Sequence, residues 1–177
     1  MWNLGSVTAS RTSRPAAWLL GCALLAVAAA CDSADGDTLT CTVRSVHDGD
    51  SMRVRCSARQ DNVRLRLDQI DAPEIEQTYG IKARDHLRAL CPRGQEVEIR
   101  IHGKDQYGRL LGDARCGGQN ISEALVAAGS AWAYKRHVRD PELTRLEREA
   151  RQARRGLWAQ GNAEPPWQWR YHNRQGD

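Results

Sequence analysis

The sequence contains no phenylalanine and only two methionines, so the aromatic volume of any core rests on six tryptophans and four tyrosines. It also lacks an excess of one charge. Its 26 basic and 22 acidic side chains give a formal charge of +4, too balanced for a protein that coats polyanions by charge alone. A polyanionic partner therefore has to be held by individually placed arginines. No apolar run reaches the roughly 20 residues of a membrane span. No two of the six cysteines have zinc-ligand spacing, and the five histidines form neither HExxH nor HxH, which argues against a thiolate or imidazole metal centre. With 41% hydrophobic and 27% charged residues, the chain is neither disordered by composition nor a polytopic membrane protein. Its 177 residues suit one domain with short extensions.

Residues 1–30 read as an export signal, with Arg11 and Arg14 in front of the uncharged stretch Ala16 to Ala30. Ala28-Ala29-Ala30 suits signal peptidase I, while Cys31 directly after small residues resembles a bacterial lipobox with Ala28 where Leu is usual. Residues 31–38 then form a tether, 39–170 the folded domain and 171–177 a C-terminal tail. On this reading the protein is exported, either as an envelope lipoprotein lipidated on Cys31 or to the periplasm or medium. It would meet a membrane only through that lipid. Cys22 leaves with the signal, and the remaining Cys41, Cys56, Cys91 and Cys116 suggest two disulfides.

From Leu39 the pattern alternates as strands do. Asp48-Gly49 between two alternating runs predicts a hairpin with a two-residue turn, pairing Val43 with Val54, Ser45 with Met52 and Cys41 with Cys56. Cys91 then pairs with Cys116 by exclusion. A third strand places Val63, Leu65 and Leu67 on one face and Arg64, Arg66 and Asp68 on the other, and ends before Pro73. Tyr79, Ala83, Leu87 and Leu90 make a helical stripe over 79–91; Val97, Ile99 and Ile101 mark a fourth strand and Leu110 to Arg115 a fifth. Asn120 with Glu123 predicts a helix to Ala128. Asp140-Pro141-Glu142 starts another helix, with an apolar stripe of Leu143, Leu146, Ala150, Ala153 and Leu157 stopped by Gly156. The Pro- and Trp-rich stretch after Ala159 shows no period. The sum is an α+β domain, a five-stranded Greek-key barrel of the OB type with about three helices.

Three segments carry chemistry: His47-Asp48-Gly49-Asp50-Ser51, Arg66 through Glu74 (RLDQIDAPE), and Asp105-Gln106-Tyr107-Gly108-Arg109. Taken singly, they are a hairpin turn, a salt-bridged strand ended by proline, and a Tyr-Gly turn. Together, in this order and with Tyr79-Gly80, Asn120, Leu125-Val126, Gly129-Ser130-Ala131 and Gly156-Leu157-Trp158, they resemble the staphylococcal nuclease (thermonuclease) family from about Thr40 to about Arg170. The resemblance implies an OB-type barrel and a calcium-dependent nuclease that cleaves DNA and RNA with little sequence specificity, leaving 3′-phosphate ends. It implies Glu74 as general base, Arg66 and Arg109 as a guanidinium clamp, and Asp50, Asp71 and the Ala72 carbonyl as metal ligands.

The residue chemistry agrees with those implications. Carboxylate and carbonyl oxygens suit Ca²⁺ or Mg²⁺ rather than zinc, and the planar fork of arginine meets two phosphate oxygens at once. Tyr107, Trp132 and Tyr134 offer rings for base stacking, Trp132 equally a core residue. Ala72 and Ser51 stand where the family pattern often has Thr, Gln106 where it often has Lys, and Lys135 and His137 where aromatics occur. Those changes touch substrate affinity more than chemistry. The competing reading is an OB module that binds single strands without cutting them, and the complete set of Asp50, Arg66, Asp71, Glu74 and Arg109 argues against it. The protein is expected to act as a monomer. If Cys31 carries lipid, Cys31→Ser leaves the membrane fraction on fractionation of expressing cells; a parental distribution makes Ala30-Cys31 an ordinary cleavage site.

Overall fold

Strand β1 (Thr38–Val46) turns its alternate residues Cys41 and Val43 inward and pairs antiparallel with β2 (Ser51–Cys56). The computed structural model describes residues 38–57 and 62–174, all within one compact unit, so the signal, Cys31, most of the tether and the last three residues of the tail lie outside the described residues. Strand β2 continues into β3 (Asn62–Leu67), and β5 (Glu96–Lys104) lies on the other side of β1 and pairs with β6 (Leu110–Cys116). A parallel pairing of β3 with β6, Leu65 opposite Leu110, closes the five long strands into a barrel. Val43, Val54, Leu65, Leu67, Val97 and Ile99 are fully buried inside it. Burial of each such side chain stabilises the fold by about 1.5–3 kcal/mol.

The predicted hairpin holds at its outer end and changes at its tip. Cys41 faces Cys56 and Val43 faces Val54, but a bulge at Arg44 brings Val46, not Ser45, opposite Met52. The reason is burial. Val46 is 5% exposed and belongs in the barrel, whereas Ser45 is exposed; an extra residue on one strand is how a sheet makes that switch. The tip is a four-residue loop, 47–50, rather than a two-residue turn: His47 N–H donates to the Ser51 carbonyl at 3.1 Å, and the Asp48 carboxylate accepts from Asp50 N–H at 3.1 Å.

Helix α1 (Gly80–Leu90) follows a left-handed Tyr79 and buries Ala83 and Leu87 against the barrel. Helix α2 (Ile121–Ala127) starts at Asn120, whose side chain accepts from Glu123 N–H at 3.3 Å as predicted. Two two-residue strands, β4 (Ile70–Asp71) and β8 (Trp132–Ala133), pair with each other, and β7 (Gln119–Asn120) extends β6. Helix α3 (Pro141–Gln152) has the predicted Asp140 cap and buries Leu143 and Ala150, but it ends four residues early. Ala153 is its exposed C-cap, Arg154 turns left-handed (φ 50°), and Leu157 is buried from a 3-10 turn, Gly156–Gln160. Glu147 occupies the inner face instead: its carboxylate accepts from Ala133 N–H at 3.2 Å and pairs with Arg151.

A fourth helix, α4 (Pro166–Arg174), lies where the sequence shows no period. Trp167 from α4 meets Trp132 edge-on at 6.5 Å between ring centroids, beside a second apolar cluster of Trp132, Ala150, Leu157 and Trp158. Both expected disulfides are present: Cys41–Cys56 cross-links β1 to β2, and Cys91–Cys116 ties the end of α1 to β6. The second closes a loop of 25 residues, worth about 3.5 kcal/mol in the chain-entropy model. Urea melts of a Cys91→Ala, Cys116→Ala double variant should show a stability loss of about that size, and unchanged stability would contradict it.

Candidate active site

Three loops meet over the end of the barrel. Loop 47–50 is drawn there because the Asp50 carbonyl accepts from Leu67 N–H at 2.9 Å and its carboxylate from Ala72 N–H at 2.8 Å. Glycine is required beside it: a Cβ on Gly49 would stand 2.6 Å from that of Ala72 and 2.8 Å from that of Ala83. Segment 68–74 leaves β3 through Gln69, a non-glycine residue at φ 66°. The Gln69 Oε1 justifies that conformation by accepting from both Arg139 N–H (2.7 Å) and Asp140 N–H (2.9 Å). The third loop, 105–109, is organised by Asp105, whose Oδ1 accepts from Tyr107 and Arg109 N–H at 2.9 Å each.

Arg66 lies at the centre. Its Nη1 donates to the Leu67 and Ile70 carbonyls (2.8 and 3.0 Å) and stands 3.1 Å from Asp50 Oδ2, while Nη2 donates to Asp71 Oδ1 at 2.8 Å. As the alternation of β3 predicts, Arg66 leaves the Leu65 and Leu67 face and points into the cleft. Burial opposes its charge, but Asp50 and Asp71 outweigh burial and raise its pKa further. Asp71 is fully buried. Burial lifts the Asp50 carboxyl well above the usual carboxylate range; Arg66 opposes this, while Asp48 and Asp71 push the same way as burial.

Asp48, Asp50, Arg66, Asp71, Ala72, Glu74, Tyr107, Arg109 and Tyr134 all line one open cavity of about 650 Å³. The cavity therefore brings together the acids, the two arginines, Tyr107 and Tyr134 singled out in the sequence, but not Trp132. Arg109 donates from Nε to Asp105 Oδ2 at 2.7 Å. Burial raises the Asp105 carboxyl, but hydrogen bonds from Arg109 and the Tyr107 backbone hold it below the usual range. Tyr107 is 61% exposed, with the Arg109 guanidinium 5.8 Å from its ring. Tyr134 stacks on Trp167 at 5.5 Å and lies 4.8 Å from His137, whereas Trp132 is 2% exposed and serves the core.

One cavity residue has no counterpart in the motifs. Arg170 of α4 pairs through Nη2 with Asp71 Oδ2 (2.8 Å) and through Nη1 with Glu74 Oε1 (2.7 Å). The Trp-rich stretch around it offers no helical stripe to place it. A second group missed in sequence stands behind the Gln69 turn: His102, at a bulge in β5, bridges Asp68 (3.0 Å) and Asp113 (3.2 Å), and Arg139 also pairs with Asp68.

The donor chemistry fits a hard cation. Six carboxylates (Asp48, Asp50, Asp68, Asp71, Glu74, Asp105) and three guanidiniums (Arg66, Arg109, Arg170) line the cavity, and two of the acids, Asp50 and Asp71, are buried, where unpaired negative charge is costly. Among the described residues no cluster of three or more His, Cys, Asp or Glu groups has metal-site geometry. The donors at Asp50, Asp71 and the Ala72 carbonyl are all oxygens, which suits a hard cation rather than zinc.

Comparison with known proteins agrees with this arrangement. The family model described as "Staphylococcal nuclease homologue" matches residues 64–160. An Escherichia coli O157:H7 protein named "Uncharacterized endonuclease" is 42% identical over 127 residues, covering 71% of this chain and 81% of the relative. The Arabidopsis thaliana protein "Staphylococcal-like nuclease CAN1" is 40% identical over 114 residues, 64% of this chain and 35% of the relative. The chain thus spans about a third of the plant relative's length and four-fifths of the bacterial one's. A barrel of this topology with an arginine and carboxylate cleft defines a nuclease-like class. The chain belongs to the staphylococcal nuclease homologue family. The matched segment includes Arg66, Glu74 and Arg109 but neither Asp50 nor Arg170.

The position of Glu74 depends on a close contact that can be broken without touching a charged group. A Cβ on Gly80 would lie 1.8 Å from the Glu74 carbonyl oxygen, so Gly80→Ala must move the backbone carrying Glu74. A shift near 1 Å at a reacting group costs on the order of 10²-fold. Nuclease assay of Gly80→Ala, with a thermal melt to confirm folding, should show that loss; parental activity would mean that Glu74 needs no such placement.

Proposed function

We propose that this chain is a calcium-dependent nuclease that hydrolyses phosphodiester bonds of DNA and RNA with little sequence specificity and leaves 3′-phosphate ends. Family membership supports the coarse class, a hydrolase of nucleic acid. The observation that carries the finer reading is the convergence of Asp50, Arg66, Asp71, Glu74 and Arg109 on one cavity from three separate segments. The export signal and the lipid on Cys31 belong to the same proposal and place the enzyme outside the cytoplasm.

In this reading Asp50, Asp71 and the Ala72 carbonyl would hold Ca²⁺, which would supply positive charge to the reaction when bound. Glu74 accepts a proton from a water as that water's oxygen bonds to phosphorus. The P–O5′ bond breaks, the 5′ oxygen departs as a hydroxyl with a proton from solvent, and the phosphate stays on the 3′ side. Negative charge grows on the non-bridging oxygens during this step. Arg66, fixed by two backbone carbonyls and two carboxylates, and Arg109, oriented through Nε by Asp105, present their remaining N–H groups to that charge. Tyr107 and the Tyr134–Trp167 stack offer sequence-tolerant ring faces for bases.

The test is plasmid, linear DNA and RNA with Ca²⁺ and then with chelator. The parent should cut all three only with Ca²⁺ and leave ends that need phosphatase before 3′ extension. Glu74→Gln should bind substrate yet lose roughly 10²–10⁴-fold in kcat. Parental activity of Glu74→Gln, or binding without cutting by the parent, would refute the assignment, the latter in favour of a binding module.

A further inference from the structure

We propose that Arg170 is an internal cation for Asp71 and Glu74 which a divalent metal must displace, so that the C-terminal helix α4 sets the metal affinity of the site. This rests on reading Asp50 and Asp71 as metal ligands. Both oxygens of the fully buried Asp71 carboxylate are engaged by guanidinium groups. Arg66 takes Oδ1 at 2.8 Å, and Arg170 takes Oδ2 at 2.8 Å with a longer contact to Oδ1 at 3.3 Å. Among the described residues only Arg170 bonds Oδ2. Its departure therefore frees one oxygen of Asp71 for a cation while Arg66 stays on the other. The same departure releases Glu74, whose Oε1 lies 2.7 Å from Arg170 Nη1.

The seat of Arg170 is built to hold and to yield. It is held because Trp167, one turn earlier, stacks on Tyr134, and because Gln77 Nε2 donates to the Glu164 carbonyl at 2.5 Å, joining the 74–77 turn to the approach to α4. It yields because α4 is only nine residues long and of its described side chains Pro166 alone is buried, the others being half-buried or exposed. Short elements with little buried apolar surface undock at small free-energy cost. Helix α4 also lies outside the segment that the family model matches. Arg66 has no such freedom, being fixed by two backbone carbonyls as well as two carboxylates.

Calorimetric titration of the purified full chain with Ca²⁺, without nucleic acid, tests this apart from activity. Arg170→Gln should bind Ca²⁺ at least about tenfold more tightly, the scale of one removed contact charge. Arg170→Lys, which keeps the charge and loses the fork, should fall between. Trp167→Ala, which loosens α4 and leaves the charge, should also tighten binding. Arg109→Gln removes a cation from the same cavity that bonds Asp105 instead of Asp71, and should change affinity by less than about twofold. Parental or weaker Ca²⁺ affinity in Arg170→Gln overturns the proposal, as does an equal gain in Arg109→Gln, which would reduce the effect to net charge. Weaker binding of a single-stranded oligonucleotide by Arg170→Gln with unchanged Ca²⁺ affinity also overturns it, making Arg170 a substrate contact. Asp50→Asn and Asp71→Asn separate the two claims. If both retain parental Ca²⁺ affinity the metal site itself is misassigned; if they lose it and Arg170→Gln gains nothing, only the present inference falls. Thermal melts in chelator confirm that each variant is folded.

Discussion

The buried pair of Arg66 and Asp71 is the constraint on which the site depends. A carboxylate with no solvent exposure is tolerable only with a partner of opposite charge and satisfied lone pairs. Arg66 meets that demand and at the same time binds the Leu67 and Ile70 carbonyls and Asp50, so one side chain fastens β3, the 68–72 segment and loop 47–50 to each other. Removing one member of such a pair typically costs about 3–5 kcal/mol. Truncating Arg66 therefore disturbs the scaffold itself, whereas Glu74 is half-buried and paired with Arg170, so its substitution disturbs the scaffold less.

The barrel and the loops divide the work. Apolar alternation on β1, β2, β3, β5 and β6 fixes the position of every strand end, and the parallel β3–β6 pairing brings Arg66 opposite Leu111, close to the loop that carries Arg109. Candidate site residues sit at or just beyond strand ends: between β1 and β2, from the end of β3 through β4 to Glu74, and between β5 and β6. The C-terminal helix completes the cavity wall, setting Trp167 against Tyr134 and Arg170 against two acids. That wall lies outside the matched family segment.

What the sequence made legible is what short-range periodicity and paired motifs encode. The alternation of Val63, Leu65 and Leu67 put Arg66 on the cleft side, and the Asp140-Pro141-Glu142 cap gave the start of α3. The register of Cys41 against Cys56 held because each strand has one buried face, which leaves little choice of register. The rest was set by long-range contacts. The bulge at Arg44 follows from the burial of Val46 in the barrel, and the four-residue tip of the hairpin lets Asp50 reach Ala72, 22 residues on. The left-handed Gln69 is justified only by backbone groups at 139 and 140. Arg170 meets acids 96 and 99 residues earlier in the chain, from a helix whose stability comes from two aromatic neighbours rather than its own stripe.

The proposed role of the cleft between Asp50 and Asp71 as a divalent-cation site carries the functional reading. The most direct measurement is an anomalous difference map from crystals of the protein soaked in Ca²⁺. One strong peak should appear beside the Asp50 and Asp71 carboxylates. A fully ordered cleft without that peak, or a peak only at acidic groups elsewhere on the surface, would contradict that role.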